Sequence, residues 1–149
     1  MISHALKTAG DVAIFAATSD KLFLLDNTTY DWNDVSKTGG YVALNPNAQW
    51  QFVQFNNPAV AVQANAPPQV FDVTSSTEFQ DLDGSPPYAA YASVVGRFIV
   101  LSGLPDTPTR IQWSGLNSIN AADSWTPGVN SSDYQDLPDG GGVRGVAGG

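Results

Sequence analysis

The sequence predicts an all-β fold, a propeller-like run of repeated four-stranded antiparallel blades, and three observations carry that expectation. Its apolar runs are short and rich in Val, Ile, Phe, Tyr and Trp, the residues that fit a pleated, half-buried surface. Gly, Pro, Asn and Asp punctuate these runs every few residues, as turns do. A motif of aromatic, amide, Asp and Leu or Val then recurs as Trp32-Asn-Asp-Val35, Phe79-Gln-Asp-Leu82 and Tyr134-Gln-Asp-Leu137, its copies 47 and 55 residues apart. Periods of roughly 40 to 50 residues with about four strands each mark propeller blades, because one blade cannot bury both its faces and neighbours must cover each other. A β-sandwich also carries tandem aromatic hairpins and stands as the other architecture.

The first unit, residues 10–36, reads as strands 11–18 and 21–26 joined at Ser19-Asp20, then Tyr30 to Ser36, where large apolar and polar residues alternate. It begins near a blade's second strand. The second unit, 41–82, opens with Tyr41-Val-Ala-Leu44 and turns at Asn45-Pro-Asn47. Strands 50–55, 59–64 and 69–73 follow, separated by turns at Asn56-Asn57-Pro58 and Pro67-Pro68, with 78–82 as the outer strand. The third unit, 88–137, repeats this order as 88–95, a tight turn at Gly96-Arg97, 98–102, a loop holding Pro105 and Pro108, 110–114, a polar connection with Trp125, and 133–137. Two prolines so close together exclude a helix there. Residues 143–149 read as the start of a fourth unit.

Residues 1–149 are thus expected to form a single β domain, an incomplete propeller of about three blades, fewer than three of them complete. The small residues of 59–64 and 88–93 suit inner strands, and Phe23, Phe71 and Trp113 suit the space between blades. Propellers close with about four to eight blades. The open edges are therefore expected to be covered by partners or by further chain, since a bare edge invites aggregation.

Composition narrows the function classes. The net charge is −8, and the six basic residues, Lys7, Lys21, Lys37, Arg97, Arg110 and Arg144, are scattered. No basic stripe exists to neutralise phosphates, so sequence-specific nucleic-acid binding is not expected. Charged residues are 13% of the chain, about half the usual share, which suits a surface that lies against other proteins. Without cysteine there is no disulfide framework or thiolate metal site. No apolar run approaches the roughly 20 residues of a membrane helix, and the first residues lack the pattern of a signal peptide.

Each candidate for chemistry has a plainer reading. His4 is the single histidine and stands near the end of the chain, where it is expected to be solvated. Ser114 lacks the glycine spacing of a nucleophile elbow and a histidine base. Glu78 with Asp81, and Asp133 with Asp136, resemble a glycosidase pair, but they recur in successive units, which suits turn capping or bonds to backbone amides better than one active site. Asp81-Leu-Asp83-Gly84 and Asp136-Leu-Pro-Asp139-Gly140 lack the spacing of a calcium loop. Gly140-Gly-Gly142 lacks the Lys and Ser or Thr of a phosphate cradle. No catalytic, cofactor-binding or metal-binding residue is assigned, and the chain is not expected to be an enzyme.

Several stretches carry a family likeness. Phe98-Ile-Val-Leu101, Arg110-Ile-Gln-Trp-Ser-Gly-Leu-Asn117, Trp125-Thr-Pro127 and Ser132 to Val146 resemble the tail-hub or nozzle-type β-propeller proteins of tailed bacteriophages, as do Lys21 to Asp26, Trp32 to Ser36 and Trp50 to Asn57. The Trp-Ser-Gly-Leu-Asn and Asp-Gly-Gly pieces are distinctive, and the rest is generic β. The resemblance implies a structural virion protein of the tail or neck, assembled in the host cytoplasm as a homo-oligomeric ring with tail, adaptor or portal proteins around the DNA exit path. It implies no catalytic residues and no cofactor. A carbohydrate-binding or adhesin-like β-domain is the alternative, with a glycosidase fragment behind it.

Overall fold

The computed structural model describes residues 2–6, 12–44 and 48–137. They form twelve strands in three four-stranded antiparallel sheets and no helix. The first sheet holds β1 (Ile2–Leu6), β2 (Val12–Ala17), β3 (Leu22–Leu25) and β4 (Trp32–Asp34). The second holds β5 (Gln51–Gln54), β6 (Pro58–Gln63), β7 (Ala66–Asp72) and β8 (Gln80–Asp81). The third holds β9 (Tyr91–Val95), β10 (Phe98–Ser102), β11 (Arg110–Trp113) and β12 (Asp133–Asp136). Within each sheet the strands lie side by side in chain order, so every unit is a simple meander. The three copies of the aromatic-amide-Asp motif fall on β4, β8 and β12, the last strand each time.

The sheets stack in chain order through the second one. On β6, Ala59 and Ala61 enter one core cluster with Ala13, Phe15, Leu22, Phe71 and Phe79, while Val60 and Val62 enter another with Ile99, Leu101 and Trp125. Alternate residues of a strand point to opposite faces, so β6 is covered on one side by the first sheet and on the other by the third. Residue size follows the neighbours. Alanines face the crowded side, where Phe15 stacks on Phe52 with ring centres 6.0 Å apart and meets Phe71 edge-on at 5.5 Å. Valines face the aliphatic side. Two sheets closing on each other as a sandwich are not what these residues form. β5 and β9, the first strands of their sheets, touch each other, which places both at the same edge of the stack.

Several expectations are corrected. The first unit does not begin at its second strand: β1 pairs with β2, His4 opposite Ile14, and completes the sheet. Three full four-stranded units are therefore present, not fewer. Residues 41–44 are not a strand; Leu44 donates its amide to the Ser19 carbonyl and ties the connection to the first sheet. Pro67-Pro68 is not a turn. Both prolines lie inside β7, and the turn is at Ala64-Asn65. A register shift opposite Ala61 to Gln63 gives β7 an extra residue, and a bulge of this kind accommodates residues that donate no ladder hydrogen bond. Tyr88 to Ala90 precede β9 rather than belong to it. The small residues 59–63 lie on β6, between β5 and β7 of the second sheet. The expected start of a fourth unit at 143–149 lies outside the described residues, as does the turn at Asn45-Pro-Asn47.

The remaining turns match their chemistry. Gly96, at φ 59°, opens the two-residue turn between β9 and β10, where positive φ fits the twist of a hairpin. The long connection from β11 to β12 sends Ile119 and Trp125 into the core between the second and third sheets, with the Trp125 indole N–H donating to the Ile119 carbonyl at 2.9 Å.

Candidate functional site

The recurrent aspartates are engaged in holding the sheets together. Asp136 takes a two-pronged bond from Arg110, directly opposite on β11, at 2.6 and 3.0 Å, and the guanidinium lies 3.9 Å from the Tyr134 ring centre. The Arg110 bonds hold the Asp136 carboxyl below its ordinary pKa. Asp34 lies 3.6 Å from Lys21 and is lowered first by its bonds from Ser36. Asp81 accepts from Lys37 at 2.7 Å and from the amide of fully buried Gln69 at 2.7 Å; burial pushes its carboxyl up, and those two bonds outweigh it and leave the pKa lowered.

Around Asp81 the network reaches across two sheets. The Tyr41 hydroxyl donates to Gln69 Oε1 at 3.1 Å and accepts from the Lys37 amide at 3.0 Å. Burial pushes the Tyr41 pKa up to about 12. Phe79 adds a backbone bond to the Val35 carbonyl at 2.8 Å, so the first and second sheets are joined by main chain as well as by rings. Sequence reasoning found the aspartates through their repetition but missed the partners. Lys21 precedes β3, Lys37 lies between sheets and Arg110 begins β11, so no period links them.

The other singled-out residues do not converge. Ser114 is buried, its hydroxyl accepting from the Ile99 amide and donating to the Gly115 carbonyl. Glu78 accepts from Gln80 and Thr38, and Asp133 accepts from the next amide, Tyr134. The expected capping of backbone amides thus holds for Asp133, whereas Asp81 and Asp136 bind side chains. His4 lies in β1, not beyond the sheet, and its side chain is outside the described residues. Among the described residues no three His, Cys, Asp or Glu side chains come together as a metal site, and no helix is long and apolar enough to cross a membrane. A shallow hollow of about 290 Å³ passes Tyr88, Asp106, Arg110 and Gln112, but its one cation is the Arg110 already bound to Asp136.

Among the described residues, no further sheet packs on the two ends of the stack. Phe15, Leu22 and Leu24 of the first sheet face the second, so the alternate residues Val12, Ile14, Phe23, Leu25 and Trp32 face away from it. Ile99 and Leu101 of the third sheet face the second, so Phe98, Val100, Ile111 and Trp113, with Val95 beside Phe98, face away. Trp32 is 44% exposed and Val12 37%, while Phe79, which holds the place of Trp32 in the second sheet, is 0% exposed. Phe71 packs between sheets as expected; Phe23 and Trp113 instead lie on these two outward faces, and on the third sheet's face Val100 is buried while Phe98, Ile111 and Trp113 are half-buried. No protein-family model matches the chain, and neither does any curated protein sequence.

Proposed function

We propose that this chain is a structural component of a bacteriophage tail or neck, a blade stack built into a ring around the DNA exit path, and that it works by assembly rather than by chemistry. The observation that carries this is the apolar face that the first sheet turns away from the stack, where Trp32 is 44% and Val12 37% exposed. Exposed apolar side chains on one face suit a protein contact surface. The motif likeness to tail-hub and nozzle proteins supplies the setting, with portal, adaptor or other tail proteins as neighbours. A net charge of −8 with scattered cations is consistent with a surface beside which DNA passes without adhering.

Mass spectrometry of purified virions and of isolated tails, with gold-labelled antibody against the chain, tests this. The expected result is peptides in both preparations and label at the tail or neck. Particles that lack the chain, with the protein left in the infected-cell supernatant, would contradict it.

A further inference from the structure

Asp83-Gly84 follows β8 and begins the connection to the third sheet. An aspartate before a glycine carries an electrophile and a nucleophile side by side. The next backbone nitrogen can attack the side-chain carboxyl carbon, and glycine has no Cβ to obstruct it. In this chain the approach is already made: the Gly84 amide donates to Asp83 Oδ1 at 2.8 Å, which sets the attacking nitrogen against the carboxyl. The Asp83 amide is fixed by Asn120 Oδ1 at 2.8 Å and the Leu82 amide by the Pro68 carbonyl at 2.8 Å, so the two groups are held in that arrangement. Asp83 is exposed, and a hollow of about 440 Å³ lined by Asp83, Gly84 and Tyr88 admits water. Asp133 makes the same contact with its next amide, also at 2.8 Å, but that amide belongs to Tyr134, whose side chain crowds the nitrogen.

We propose that Asp83-Gly84 is a modification site, at which the folded chain converts its own main chain to an isoaspartyl linkage. The Gly84 nitrogen bonds to Asp83 Cγ while the protonated carboxyl loses its hydroxyl, which leaves as water with the amide hydrogen, and a succinimide closes. Water then opens the ring at the Asp83 main-chain carbonyl and breaks its bond to the Gly84 nitrogen. The main chain now runs through Cβ and Cγ and is longer by a methylene. It lengthens where nothing gives way: a Cβ placed on Gly84 would lie 2.6 Å from the Ala121 carbonyl oxygen and 3.1 Å from Trp125 Cδ1. Trp125 is 3% exposed and fills the core between the second and third sheets, so the isomer loosens that core. None of this depends on the chain's place in a virion.

Storage of the folded chain in mildly acid buffer, followed by peptide mass spectrometry with electron-transfer fragmentation, tests it. Isoaspartate is expected to accumulate at residue 83 while residue 133 stays aspartate. Asp83→Asn, which loses ammonia instead of water, is expected to accumulate it faster, and Asp83→Glu, which must close a larger ring, to show none. The isomerised fraction, separated by chromatography, is expected to melt below the unmodified chain. Isoaspartate that forms at residue 83 only after unfolding in urea overturns the proposal, because the folded arrangement then protects the pair. So does equal conversion at residue 133, and so does an isomer that melts with the unmodified chain.

Discussion

At the scale of single residues, a buried polar group joins the first and second sheets. Gln69 is completely buried and connects Tyr41 to Asp81. Replacing it by leucine keeps the volume but takes one of two partners from the Tyr41 hydroxyl and from Asp81, leaving each with Lys37, so Gln69→Leu is expected to cost about 1–3 kcal/mol in urea unfolding. The same network sets an alkaline limit. Burial pushes the Tyr41 pKa up from its ordinary 10 to about 12, so its contribution is complete below pH 10 and disappears as pH climbs toward 12. Tyr41→Phe should flatten that part of the stability profile; an unchanged alkaline limb would contradict the assignment. Acid works in the opposite sense. Asp26, Asp34, Asp72, Asp81 and Asp136 are all lowered from 3.8, through bonds from Thr28, Ser36, Thr74, Lys37 with Gln69, and Arg110 respectively. Their contribution is present above pH 4 and lost as pH falls through the lowered values, so the melting temperature should drop between pH 5 and pH 2.

At the scale of the elements, equivalent positions have unequal weight because neighbouring sheets do not cover every last strand equally. Phe79 and Tyr134 open the same motif, yet Phe79 is 0% and Tyr134 41% exposed. Phe79 meets Phe15 at 5.6 Å and Phe71 at 5.1 Å, so Phe79→Ala should cost about 3–5 kcal/mol. Tyr134→Ala loses mainly the Arg110 contact and should cost under about 1 kcal/mol in the same denaturant titration. Equal losses would mean that the sheets do not stack in chain order. The contrast also marks what could be read from the chain beforehand. The motif located the last strand of every sheet, since a period needs no tertiary knowledge. β1 escaped because Ile2-Ser-His-Ala-Leu6 has little apolar alternation and is a strand through its pairing with β2. Pro67 and Pro68 read as a turn because proline lacks a donor, and the bulge opposite Val62 lets β7 run through them. The outward faces were not visible either, since Phe23 and Trp113 look in sequence like any residue packed between blades.

At the scale of the whole molecule, the described residues form a stack whose second sheet is covered on both sides, while the first and third sheets each turn one face away from it. The central claim is that three meander sheets lie in chain order, the second between the first and the third. A density map tests it most directly. The account predicts Ala59 and Ala61 of β6 on the side of Phe15 and Leu22 of the first sheet, and Val60 and Val62 on the side of Ile99 and Leu101 of the third. A map in which the first and third sheets pack on each other would contradict it.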